Sequence, residues 1–226
     1  MIETINYAIH LLFFMTCMFK YKFFVFVVFL FCLDSADGQN FNVGGIVGVN
    51  ASQISGDGLA GFNKGGLLLG AYVNADINPK INAQFEIVYS EKGSRKLARN
   101  DKGDTESFLL RMNYVEIPLM IRLKNNKFTY DVGTYYGRLV HLYLEDENGP
   151  FEIPEQLNQF KKDDFGALIG INFNFNKHFV MNWRISNSML AVRKHDSGEN
   201  FRFNNGMFHT FLSFSMRYEI FEKNGS

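Results

Sequence analysis

Residues 71–89 read AYVNADINPKINAQFEIVY, two runs of alternating apolar and polar residues that meet at Asn78-Pro79-Lys80. On the first arm Ala71, Val73, Ala75 and Ile77 share one face, and Tyr72, Asn74 and Asp76 share the other. On the second arm Ile81, Ala83, Phe85, Ile87 and Tyr89 oppose Asn82, Gln84, Glu86 and Ser90. A period of two is the mark of a β-hairpin with one apolar and one polar face. The fold turns on which face meets solvent, and on which solvent that is.

The same rhythm continues on both sides. Strands are expected near Phe41–Asn50, Gly65–Ile77, Lys80–Gly93, Leu109–Lys124, Lys127–Leu144, Asp163–Phe175, His178–Val192 and Gly206–Phe221, about eight in all, with no convincing amphipathic helix. Their connections alternate in length. Asn78-Pro79-Lys80, Asn125-Asn126 and Asn176-Lys177 are very short, whereas Ala51–Lys64, Ser94–Phe108, Glu145–Lys162 and Arg193–Asn205 are long and polar. Short turns on one rim and long loops on the other describe an up-and-down barrel of outer-membrane type, with the long loops facing outward if the N-terminus is periplasmic.

The faces can then be compared across strands. One face collects Val115, Ile117, Leu119, Ile121 and Leu123, with Phe165, Ile169, Phe179, Trp183, Phe208, Leu212, Phe214 and Met216. The other collects Glu86, Glu116, Arg122, Asp131, Asp164, Asn172, Asn182, Arg184, Ser213, Ser215 and Arg217. An eight-stranded barrel has an interior just wide enough for side chains to fill, too narrow for that mass of Phe, Met and Trp. The polar set fits the lumen, and the apolar set then faces hydrocarbon. Closure is required, because an open edge in lipid would leave backbone groups without partners. A soluble lipocalin-like barrel keeps the fold and reverses the faces. The reading adopted is all-β: an eight-stranded antiparallel transmembrane barrel with aromatic girdles at Phe128, Tyr130, Tyr136, Tyr143, Phe175, Phe179 and Tyr218.

Composition agrees. The 23 basic and 23 acidic residues cancel, which removes any electrostatic case for nucleic acid. Phe (25), Tyr (10) and Gly (20) are abundant and Pro (4) is scarce, a mix that suits strands and tight turns.

The first residues differ from the rest. Lys20 and Lys22 precede the apolar run Phe23–Leu33, and Ala36 and Gly38 place small residues before a cut at Gln39. These are the three parts of a signal peptide, and the run falls short of the roughly 20 residues a spanning helix needs. Residues 1–38 are therefore expected to be a leader whose start is Met18, and residues 39–226 the barrel domain. Both cysteines, Cys17 and Cys32, fall in the leader, so the exported chain is expected to carry no thiol.

Several runs resemble a known family. FNVGGIVGVNAS (41–52), AQFEIVYSEKGSRK (83–96), NYVEIPLMIRLK (113–124), FTYDVGTYYGRLV (128–140), DDFGALIGINFNF (163–175) and FLSFSMRYEIF (211–221) together resemble the PorT-like outer-membrane β-barrel family of Gram-negative bacteria. The most specific elements are the runs Glu86–Gly93 and Asn113–Pro118. The resemblance implies an eight-stranded barrel in the outer membrane and no defined reaction. The founding member is associated with type IX protein secretion, a role that domain resemblance alone does not transfer.

Pro118 stands inside a strong strand, where proline marks a bulge or an unpaired position. Glu116 and Arg122 lie near it on the inward face. An ion gate or ligand contact is one reading. The other is a structural plug in which Glu86, Glu116 and Asp131 pair with Arg122, Arg184 and Arg217, as the several-kcal/mol cost of unpaired buried charge favours.

Other motifs carry less. Gly56–Gly61 (GDGLAG) matches a dinucleotide fingerprint, but a strand-like segment follows where a helix is needed. Glu145, Asp146 and Glu147, with Glu152 and Glu155, lack the fixed spacing of a calcium loop. His141, His195, Asp196 and Ser197 offer a weak acid–base set at the outer rim. The expectation is a non-enzymatic protein without cofactor or metal. Its partners are outer-membrane lipid and extracellular or secretion-machinery proteins, not nucleic acid. The alternatives are a part of a secretion or uptake machine and a small-solute channel.

Overall fold

The computed structural model describes residues 41–57, 59, 61–98, 103, 105–150, 160–193 and 206–222, the side chains of 221 and 222 excepted. The leader reading at 1–38, with Cys17 and Cys32, lies outside the described residues.

The strands are β1 (Phe41–Ser55), β2 (Lys64–Asn78), β3 (Ile81–Lys96), β4 (Phe108–Asn125), β5 (Phe128–Asp146), β6 (Gly149–Pro150), β7 (Asp163–Asn174), β8 (Phe179–Ser188) and β9 (Phe208–Glu222). Each pairs antiparallel with its chain neighbour in the ring, and β1 pairs with β9, so eight strands close a meander barrel. The two-residue β6 folds back on the end of β5 and stands outside the ring, in a stretch expected to be loop.

Local chemistry sets the tight turns. Asn78 Oδ1 accepts from the backbone N–H of Lys80 and of Ile81, both at 2.9 Å, and Asn176 Oδ1 does the same for His178 and Phe179. Asn126 takes a left-handed φ of 53°, which asparagine tolerates better than most residues. The ring strands run from 10 to 19 residues, enough to cross a bilayer where about 9–11 are needed.

The faces fall as the alternation requires. Leu119 and Ile169 are 57% and 59% exposed, whereas Glu86 and Arg217 are 0% and 1% exposed. Outward side chains form a continuous apolar wall, and inward ones fill the bore. Two glycines make room for inward rings across the ladder. Gly44 pairs with Tyr72 and Gly166 with Tyr135, and a Cβ at either glycine would collide with the facing ring. Phe208 departs from its parity and is buried, at the end of β9 where Arg193 bridges to both Met207 and Phe160.

Pro118 faces Tyr135 on β5, but its expected partner on β3 is missing from the ladder, which resumes at Val88–Glu116. The proline occupies an unpaired position, and the irregularity in the β4–β5 ladder lies instead between Asn113 and Tyr114. At the short-turn rim Phe128, Phe173 and Phe175 pack in series through tilted and edge-on contacts, and the Phe179 and Tyr218 ring centroids lie 5.0 Å apart, forming an aromatic belt.

Leu119→Arg places a charge on the outward wall. It is expected to lower stability by about 2–4 kcal/mol in lipid vesicles, measured by urea unfolding, because midplane cations are costly there. An unchanged midpoint would mean that this wall does not meet hydrocarbon.

Candidate functional site

The inward faces of eight strands converge on a bore closed by two charged layers. In the first, Glu86 on β3 accepts from Arg184 Nη1 and Nη2 on β8, both at 2.9 Å, and from Arg217 Nη2 on β9 at 3.0 Å. Gln84 Nε2 adds a fourth contact to Glu86 at 2.5 Å. Arg122 on β4 reaches Asp131 on β5 at 3.1 Å and Gln84 Oε1 at 2.6 Å. Asp131 also accepts from Asn172 at 2.7 Å and lies 3.6 Å from Arg217. The bidentate fork of Arg184 on one carboxylate is the strong geometry for such a pair. Arg122 and Asp131 face each other in the β4–β5 ladder, whereas the contacts of Glu86 with Arg184 and Arg217 and of Asp131 with Arg217 cross the lumen and exist only once the ring has closed.

The second layer lies nearer the long loops. Lys92, fully buried on β3, sits 2.5 Å from Glu116 and 2.9 Å from Asp164 on the far side of the bore. The rings of Tyr114, Tyr135 and Phe211 surround its ammonium at 4.4–4.8 Å. Tyr135 donates to Asp164 at 3.2 Å, and Tyr114 meets His209 Nε2 at 3.2 Å. The two carboxylates offset the cost of taking the ammonium out of water, and ring faces attract a desolvated cation more strongly than a hydrated one.

Glu86, Arg122, Asp131, Arg184 and Arg217 thus meet in one layer, whereas Glu116 belongs to the other and pairs with Lys92. The bulge between Asn113 and Tyr114 keeps Met112, Asn113 and Tyr114 all inward and builds the floor of that second layer. Lys92 was absent from the expected pairs, although its parity with Glu86 and Ser90 on β3 already placed it inside. The first layer has three guanidinium groups for two carboxylates, and the second has one ammonium for two carboxylates. Together the two layers set four cationic groups against four carboxylates, so their charges cancel.

Alanine at Glu116 leaves Lys92 with Asp164 alone. A loss of about 1–3 kcal/mol is expected, read as a lower temperature for loss of the compact band in unboiled gel electrophoresis. No shift would deny Glu116 a part in the plug.

Beyond the layers the bore opens at both ends. Toward the long loops Ile54, Leu110, Met112, Leu144 and Phe160 form an apolar cluster, beside a cleft of about 430 Å³ rimmed by Asp57, Lys96, Glu106 and Arg193. Toward the short turns a polar vestibule of about 570 Å³ ends on Arg122 and Arg217.

The weaker motifs are dispersed. GDGLAG leads into β2 and no helix follows it. Glu145 and Asp146 lie in β5 and His141 on the same strand, whereas Glu152, Glu155, His195, Asp196 and Ser197 lie outside the described residues. Among the described residues no group of three or more His, Cys, Asp or Glu side chains is placed to hold a metal.

Among solved structures, Ail of Yersinia pestis in complex with the heparin analogue sucrose octasulfate is 10% identical, with 80% of this chain and 99% of that one covered at a TM-score of 0.46. Neisserial surface protein A is 10% identical, with 81% and 100% covered and a TM-score of 0.49. OprG of Pseudomonas aeruginosa is 12% identical, with 81% and 96% covered and a TM-score of 0.37. No curated protein matches the chain. The family model described as Outer membrane protein beta-barrel domain matches residues 35–189, from ahead of β1 to just past the end of β8. With that match over most of its length, on a closed ring with an apolar outer wall and a charged bore, the chain belongs to the outer membrane protein beta-barrel domain family and resides in the bacterial outer membrane.

Proposed function

We propose that this protein is a non-enzymatic outer-membrane barrel with a plugged lumen, whose long loops make its contacts with extracellular or envelope partners. The observation that carries this reading is Glu86 held by both Arg184 and Arg217 across the bore, with Lys92 locked between Glu116 and Asp164 above it. The lumen side chains of these two layers are committed to one another across the bore, which supports a closed lumen. Function then falls to the surfaces that vary without disturbing the barrel, and those are the loops.

The finer likeness to the PorT-like group rests on the runs Glu86–Gly93 and Asn113–Pro118. Glu86, Ser90, Lys92, Asn113, Tyr114 and Glu116 from these runs are all buried in the lumen. The likeness is therefore one of interior construction, and a secretion role would need support from the loops.

Conductance in planar bilayers is the test. The refolded protein is expected to give no steady current under either polarity. Stable, reproducible current steps would favour the small-solute channel and overturn the plugged reading.

A further inference from the structure

We propose that the short-turn vestibule is a binding site for a small phosphate-bearing molecule. The cavity holds about 570 Å³, room for a compact polar compound. Its floor carries polar atoms that the plug leaves unused. Arg217, 1% exposed, commits Nη1 to Asn172 and Nη2 to Glu86, and its Nε has no hydrogen-bond partner. Asn82, 1% exposed, has an amide oxygen without a partner, as does Asn42 on β1. Rotation of an asparagine amide exchanges its acceptor for two donors, so these side chains can turn N–H groups toward an oxyanion.

The charge balance gives the sign of the ligand. Around the cavity Lys124 is held by Asp76 at 2.6 Å, and Arg122 and Arg217 are matched within the plug. Lys127 and Lys177, on two different turns, line the same cavity and have no ion pair among the described residues. Glu219 opposes them with one negative charge. Two ammonium groups at the mouth, above the guanidinium-bearing Arg122 and Arg217 that line the floor, suit a multiply charged oxyanion, for which lysine is an effective point-charge partner. The aromatic belt on the outer side of this rim brings it to the level of lipid headgroups, so the phosphate can come from a dissolved compound or from a headgroup.

The test is calorimetric titration of inorganic phosphate into the barrel in maltoside micelles at low ionic strength. Binding is expected, and Lys127→Gln/Lys177→Gln should weaken it roughly five- to tenfold. Asn82→Leu, which keeps the rim charge, should weaken it severalfold. Lys80→Gln, on the third turn and outside the cavity, should leave it unchanged. No binding at millimolar phosphate, or an equal loss from Lys80→Gln, overturns the site. Repeating the titration in phosphatidylcholine nanodiscs separates the sources. An unchanged affinity supports a dissolved occupant, and an affinity lowered by competing headgroups supports a lipid one.

Discussion

Glu86→Ala is expected to cost about 3–5 kcal/mol of barrel stability, the scale of breaking a buried ion pair from one side. Glu86 takes hydrogen bonds from Arg184, Arg217 and Gln84, and it has no exposed surface to be rehydrated through. Its loss strands two guanidinium groups in a water-poor bore beside Arg122. The measurement is urea unfolding in lipid vesicles. The companion Glu86→Gln/Arg184→Met removes one charge of each sign and leaves Arg217 near Asp131. It should recover much of the loss, because a buried pair replaced by neutral groups of similar volume is often close to neutral in cost. Equal destabilisation of the single and double variants would mean that packing, not charge balance, is the quantity that matters.

Lys92→Met should be comparably severe, at about 3–5 kcal/mol, although the side chain keeps its length. Glu116 and Asp164 would then confront each other across a cage of three aromatic rings with no cation between them. Lys92→Met/Glu116→Gln leaves Asp164 with the Tyr135 hydroxyl, and it should regain most of the stability. Neutral unfolding of Lys92→Met alone would remove the second layer from this account.

The hairpin at Ala71–Tyr89 shows why so much of the barrel was legible in the sequence. Parity along a strand is a local property, and once lipid is assigned to the apolar parity, every later strand inherits its facing. The short turns were equally local, since Asn78 and Asn176 close them with their own side chains. Partner choice in the lumen is not local. Glu116 stands opposite Val88 on β3 and meets Lys92 diagonally, four residues further along, while Asp164 reaches the same lysine from β7; such contacts cannot be read from one strand. The inward apolar groups Val88, Met120, Leu168 and Phe211 were hidden for a related reason. Phe211 packs on the Lys92 ammonium and Met120 lies beside Arg184, so apolar groups on the polar parity take part in the charged layers. Phe208 broke parity because contacts at the end of a strand override the alternation.

The inversion of faces underlies all of this, and the protein contains a reporter for it. Trp183 is its single tryptophan, outward on β8 and 41% exposed, packed edge-on against Phe214 with ring centroids 5.4 Å apart. The barrel is refolded into vesicles of phosphatidylcholine brominated along the acyl chain, and tryptophan emission is compared with that in unbrominated lipid. Strong quenching with an emission maximum shifted to the blue is the predicted result. Undiminished emission from a protein with intact β-sheet would place Trp183 away from hydrocarbon and contradict the account.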